Sequence, residues 1–301
     1  AYTSNERDNT MSVIDLGQMK TVKTVPTGQR PRGITVTPDG KYILVACGDD
    51  DEIQIFDSKT FQVVRTLATP DPELFALRPT GNPLYVSNEN NALVTVWDIN
   101  TGKKLATIQT GVEPEGMTVS PDGKLIVNTS ETTNMAHFID YDSEKMVGAT
   151  LVGARPRNAR FKHDGSEVWV SSELGGTVSV LDPKTRQITH TIEFPIQGLR
   201  ADEIQPEDIR FTKDDKTAFV ALGTANRVAV VDASTYKVKR YLLVGQRVWH
   251  LGFTPDYEYL LSANGESNDV SVIDVGDLRV IKSIPVGQLP WGVVVNPTSP
   301  K

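Results

Sequence analysis

The sequence predicts an all-β protein: a seven-bladed β-propeller of four-stranded antiparallel blades, one domain over residues 1–301. Three observations predict it. An apolar alternation ending in aspartate recurs seven times at a nearly fixed period. A Pro-Asp-Gly turn, or a variant of it, recurs with it. The two ends of the chain read as complementary parts of one unit.

The alternation is "SVID" at Asp15, "IQIFD" at Asp57, "VTVWD" at Asp98, "HFID" at Asp140, "VSVLD" at Asp182, "VAVVD" at Asp232 and "VSVID" at Asp274. The spacings are 42, 41, 42, 42, 50 and 42 residues. Self-similarity at a fixed period of this size marks a repeat architecture. In the third unit, "PEGMTVS" (114–120) reads as strand a, "PDGK" as a turn and "LIVNTS" as strand b. Strand c is "MAHFID" (135–140), and the turn "YDSEKM" leads to strand d around "VGATLVG". Short alternating runs bounded by Gly, Pro, Asp and Asn are the strand signature.

The turn recurs in "TPDGKYILVAC" (37–47), "KHDGSEVWVSS" (162–172) and "TPDYEYLLSAN" (254–264). Pro presets φ, Asp bonds its local backbone and Gly accepts positive φ. The Asp ending strand c is expected to cap the next turn in the same way. A period near 42 with four strands is a propeller blade, and seven anchors give seven blades. The chain opens with strands b, c and d ("AYTSN", "TMSVID", "KTVKTVPTG") and closes with strand a, "PWGVVVNP" (290–297). The last blade is therefore built from both termini, which closes the ring and leaves no open sheet edge.

Composition narrows the function classes. The net charge of −7 and a pI of about 5.2 oppose generic binding to nucleic acid or anionic lipid. No apolar run reaches the length of a membrane helix, so no membrane insertion is expected. Cys47 is the only cysteine, which rules out an internal disulfide. A ring-closed propeller is complete alone, so a monomer is expected.

The units "TVPTGQRPRGITVTPDGKYILVACGDDDEIQIFD" and "SIPVGQLPWGVVVNP" resemble the YVTN-repeat β-propellers, whose idealised repeat runs V-I-D…T-I-P-V-G-x-x-P-x-G-x-x-V-x-P-D-G-K-x-x-Y-V-x-N. The likeness covers essentially the whole chain. "ATPDPELFALRPTGN" departs from it, and the unit before Pro206 carries an insertion. The compact form also resembles the subfamily found with pyrroloquinoline-quinone-dependent alcohol catabolism. That resemblance implies an exported, periplasmic propeller, often without known enzymatic activity, and no cofactor is expected. Residue 1 is Ala and Tyr2 already falls in a strand, which fits a removed leader.

The strand a starts ring the channel of a propeller, so the candidate site is read by aligning them. The residue after the Pro position is Arg32, Glu73, Glu115, Arg157, Glu207, Trp249 and Trp291. The next is Gly33, Leu74, Gly116, Asn158, Asp208, His250 and Gly292, while Arg30, Glu113, Arg155 and Arg247 stand at or before the Pro. Two readings stand. In one, the aromatics and charges hold a flat or sugar-like ligand, as concave sites combine apolar walls with convergent polar groups. In the other, Arg and Glu of successive blades pair across the mouth and the Trp rings pack between blades.

The interval from Asp182 to Pro206 is 24 residues against the usual 16, which puts extra residues in "EFPIQGLRADEIQPED". Loops on a rigid scaffold often carry binding, and Arg200, Asp202 and Glu203 are the candidates for a partner contact. "CGDDDE" (47–52) lacks the spaced calcium-loop pattern and reads as a solvated acidic turn. The histidines, at 137, 163, 190 and 250, have no metal-ligand spacing, and no metal is expected.

The expected function is a non-catalytic binding or scaffold propeller, accessory to periplasmic quinoprotein alcohol oxidation. It would hold a small ligand or protein partner on the funnel face. Two alternatives remain open: a lactonase-type propeller hydrolase using the mouth Arg, Glu and His250, and single-stranded DNA binding by stacking on Trp249 and Trp291. The net charge of −7 weighs against the last.

Overall fold

In the computed structural model, which describes residues 1–299, seven four-stranded antiparallel sheets form the blades of a ring. The inner strands are Pro31–Val36, Pro72–Leu77, Pro114–Val119, Pro156–Phe161, Pro206–Phe211, Val248–Phe253 and Pro290–Val294. The last pairs with Tyr2–Asn5, followed by Thr10–Asp15 and Lys20–Pro26, so one C-terminal strand joins three N-terminal ones as the sequence predicts. Side chains reinforce this closure. Thr3 Oγ1 donates to the Gly292 carbonyl at 2.7 Å, and the Gly292 N–H donates to Ser4 Oγ at 3.0 Å.

The repeated residues do what their chemistry requires. Asp57 accepts the N–H groups of Lys59 and Thr60 at 3.0 and 2.8 Å, and Asp232 those of Ser234 and Thr235, both at 3.0 Å. Each of these carboxylates fixes the c–d turn of its blade. In the a–b turn, Asp39 accepts the Lys41 N–H at 3.1 Å, and Gly40 takes a φ of +73° that a side chain would resist.

The second and third strands are largely buried on both faces, while the outermost strands are mostly open to water and bury at most one residue each; Ile43 to Cys47 are fully buried, whereas Gln187–Glu193 buries only Ile192. Seven apolar clusters result, each drawn from two consecutive blades. Leu44, Ile53 and Leu67 meet Phe75, Val86 and Trp97, for example. The core is therefore a set of blade interfaces around an axis, and no blade completes its own. Inner strands approach so closely that a Cβ on Gly33 would lie 2.3 Å from the Glu73 carbonyl.

Every pairing of an inner strand with its neighbour shows a register shift near the inner strand's start. Such a bulge re-aims side chains, and here it lies beside the candidate site.

Candidate functional site: the charged mouth of the ring

Each inner strand is preceded by a residue in the left-handed conformation, Arg30, Asp71, Glu113, Arg155, Gln205, Arg247 and Leu289 in turn. The column predicted from sequence stands two residues further on, as the second residue of each inner strand. The structure divides the charged residues of this column into two ion-pair groups, with Glu115, Arg157 and Glu207 in one and Arg32 and Glu73 in the other. Arg157 is the hub of the first: its guanidinium lies 3.2 Å from Glu115, 3.2 Å from Glu207 and 3.8 Å from Glu173, and it donates a short hydrogen bond to Glu131. Burial works against the Arg157 charge, but the four carboxylates outweigh it and hold the guanidinium protonated.

A second group surrounds Arg30 and Arg32. Arg32 reaches Glu73 at 3.0 Å and Glu6 at 3.1 Å. Arg30 reaches Glu73 at 2.7 Å and Asp49 at 2.8 Å, and pairs closely with Asp71. Asp71, Glu73 and Glu89 present carboxylate oxygens within 4.8 Å of one another, the one group of three metal-ligating residues among those described. The two guanidinium groups already supply positive charge there. Burial and the neighbouring Glu73 push the Glu89 carboxyl up to about 7. The acidic turn after Cys47 joins this structure: Asp50 accepts the Gln29 N–H at 2.7 Å and Asp51 that of Asp71 at 2.8 Å. Cys47 is buried, and burial pushes its thiol up to about 12, which suits packing rather than nucleophilic attack.

The aromatic sector closes the ring of charges. Trp249 and Trp291 lie 6.3 Å apart at 32°, on neighbouring blades. The Arg247 guanidinium sits 4.0 Å above the Trp249 ring, and Arg247 also pairs with Glu173 at 3.0 Å and Glu207 at 3.2 Å. Trp291 is 1% exposed, whereas Trp249 is partly open. Neither indole N–H has an acceptor among the described residues. His250 lies beneath this sector, buried, with its ring 4.0 Å from Trp291 and Nδ1 3.1 Å from the Trp291 carbonyl. Burial, aided by Arg157, holds it neutral with its pKa down at about 3.

The insertion forms a short helical turn, Ala201–Glu203. Arg200 pairs with Asp202 at 3.1 Å and Glu203 at 3.3 Å, and all three side chains are exposed. They stand apart from the network, but Gln205 links the two: its amide donates to the Asp202 carbonyl and its oxygen accepts a short bond from Arg247.

Sequence reasoning missed Glu6, Glu89, Glu131 and Glu173. All four occupy one column, the residue that follows strand b. The same period that aligned the inner strands would have aligned them.

Residues 87–259, more than half of the chain, match the family model of the choice-of-anchor I domain. The chain belongs to the choice-of-anchor I domain family. Residues 1–75 of this choice-of-anchor I chain also match the model of the cytochrome D1 heme domain. A 6-phosphogluconolactonase of Photorhabdus laumondii is 23% identical over 199 residues, covering 58% of this chain and 60% of that protein. One of Yersinia pestis is 22% identical over 191 residues, covering 55% and 57%. The chain thus spans less than two thirds of the curated relatives it matches. Among solved structures, Kuenenia stuttgartiensis hydrazine synthase gives a TM-score of 0.79 at 20% identity, over 89% of this chain and 90% of that one. A functionally unknown protein from Desulfotomaculum acetoxidans gives 0.79 at 14%, over 96% and 98%. At these identities the structural likeness establishes the ring of blades.

The mouth of the choice-of-anchor I chain predicts a pH dependence. Burial, with Glu173 and Glu131 nearby and despite Arg157 and Arg247, pushes the Glu207 carboxyl up to about 8. The folded state then holds a proton that the unfolded state has released, so stability falls as pH rises from the unfolded carboxyl pKa of about 4.3 to about 8. His250 acts oppositely, but only below its unfolded pKa of about 6.5. Between about pH 6.5 and 8 Glu207 is therefore expected to contribute a falling slope of up to about 1.4 kcal/mol per pH unit. The Ala1 ammonium, which burial lowers to about 5, contributes in the opposite sense, so the Glu207 part is read as the difference between wild type and Glu207→Gln. Urea melts across this window should find that falling part lost in Glu207→Gln, with the variant at least as stable as wild type at the alkaline end. An unchanged slope would locate the titration elsewhere.

Proposed function

We propose that the protein is a non-catalytic binding or scaffold propeller that holds a ligand or protein partner on its funnel face. The observation that carries this reading is the mutual engagement of the reactive side chains at the mouth. Arg157 lies among four carboxylates, Arg247 between Glu173 and Glu207, and His250 under the Trp291 backbone. Groups fixed in this way brace the ring. What the mouth offers a ligand is its rim: exposed Asp49 and Arg155, and the partly open ring of Trp249.

The repeat motifs and their resemblance to YVTN-type propellers support a place in the periplasm, as a monomer accessory to quinoprotein alcohol oxidation. The insertion at Arg200, Asp202 and Glu203, tied to Arg247 through Gln205, is the matching protein contact.

The named relatives favour a second reading, lactone hydrolysis. Carboxylates outnumber arginines at the mouth, which disfavours a phosphorylated lactone and, equally, a nucleic acid strand. The deciding experiment is a hydrolysis assay with gluconolactone and 6-phosphogluconolactone beside a thermal-shift screen of pyrroloquinoline quinone, Ca²⁺ and a short oligonucleotide. The expected result is no hydrolysis above the buffer rate, with any shift lost in Trp249→Ala. Turnover that disappears in His250→Ala would establish the lactonase reading instead.

A further inference from the structure

Below the ion-paired mouth, the axis holds a cavity of about 290 Å³. His250 and Trp291 line its inner end, and Val36, Pro38, Leu77 and Pro79 line it near the a–b turns of the opposite face. Its chemistry differs from that of the mouth. The fifth residues of the inner strands are Thr35, Ala76, Thr118, Arg160, Arg210, Gly252 and Val294, and all but Gly252 line the cavity. Five are small or uncharged, and they leave room opposite the two arginines.

Among the described residues Asp208 is the one carboxylate paired with these arginines, and both its oxygens accept hydrogen bonds. It accepts from Asn158 at 2.8 Å, from the Ile209 N–H at 2.8 Å and from the Leu251 N–H at 3.0 Å. Arg210 reaches it at 3.0 Å and donates Nε–H to the Leu251 carbonyl at 2.8 Å. Arg160 is only 3.6 Å from it, and Arg160 Nε has no partner among the described residues. His250 is neutral here, for the reasons given above. Two guanidinium charges thus face one carboxylate, and the Arg160 side chain is 32% exposed.

The geometry points to a binding site for a small organic monocarboxylate in this axial cavity, anchored by Arg160 with Arg210 beside it and entered from the face opposite the funnel. The fork of a guanidinium matches a carboxylate in two parallel bonds. One surplus positive charge matches one negative charge. Ala76, Met117 and Val294 give apolar wall to a short hydrocarbon body. A phosphate dianion would bring a second charge with nothing to meet it among those walls.

The test is a titration of the full chain with acetate, butyrate and lactate, followed by thermal unfolding at constant ionic strength. Chloride and inorganic phosphate serve as the competing anions. A saturable rise in midpoint is expected with at least one carboxylate, well beyond that with either inorganic anion. Arg160→Met should abolish it, and Ala76→Leu should abolish it by filling the cavity without touching a charge. Trp249→Ala, on the funnel side, should leave it intact, which separates this site from the proposed funnel function. If Arg160→Met fails to fold, Ala76→Leu decides. No saturable rise, an equal rise with chloride or phosphate, or a rise that survives Ala76→Leu would overturn the assignment.

Discussion

Replacing Arg157 by leucine is expected to cost about 3–5 kcal/mol at pH 8, because removing one partner from a buried ionic group leaves charge uncompensated. Glu115, Glu131 and Glu207 are nearly inaccessible, and Glu173 is 6% exposed. In wild type one guanidinium reaches all four. Arg155 also pairs with Glu131 and Glu173, and Arg247 with Glu173 and Glu207, so Glu115 is the carboxylate that loses its one ion-pair partner among the described residues. Without it, burial and mutual repulsion force the carboxyls to take up protons, and Glu115 and Glu131 are already raised for that reason. The loss should therefore be smaller at pH 5 than at pH 8. Arg157→Lys should recover little, since an ammonium cannot fork between carboxylates. Adding Glu115→Gln and Glu207→Gln to Arg157→Leu should recover much of the loss. Urea melts at the two pH values measure all of these. A loss under about 1 kcal/mol at pH 8 is the size seen for solvated pairs, and would mean that the mouth is wetter than its packing indicates.

The ring itself was legible because its signals are local and repeated. Asp57 and Asp232 cap turns by a mechanism that one residue type supplies, and the fixed period counts the blades. The period also selected Arg32, Glu73, Glu115, Arg157 and Glu207, since aligned positions in a propeller share one radius. Two things were not legible. The first is where a side chain goes after the bulge at the start of each inner strand. Strict alternation fails there, so the sequence placed His250 at the mouth, whereas the structure seats it under Trp291. The second is that Arg160, Arg210 and Asp208 meet. They come from two blades, and Arg160 lies 50 residues from Arg210, across the one interval the insertion lengthens. Counting the fifth column would have listed the arginines; only coordinates show that one carboxylate lies between them.

Trp291→Ala is expected to destabilise the ring by about 3–5 kcal/mol, the usual cost of emptying a large buried aromatic site. The position is unusual in what depends on it. Trp291 lies on the single C-terminal strand of the closing blade, and Val293 beside it is 3% exposed. Its ring packs on His250 of the preceding blade at 4.0 Å, and the Arg32 guanidinium of the following blade lies 5.8 Å from its centre. The side chain thus bridges three blades where the two ends of the chain meet. Trp249 occupies the equivalent position one blade earlier, on a strand continuous with its own sheet, and its ring is partly open under Arg247. Trp249→Ala should therefore cost clearly less, about 1–2 kcal/mol, in line with partial burial of an aromatic. Hydrogen exchange should separate the two variants further. In Trp291→Ala the amides of Tyr2–Asn5 are expected to lose protection first, because their outer partner strand stays while the inner one loosens. In Trp249→Ala they should be unchanged. Equal losses for the two variants, with uniform exchange, would show that closure rests on the backbone pairing of Tyr2 with Val294 and Thr3 with Val293 rather than on the indole.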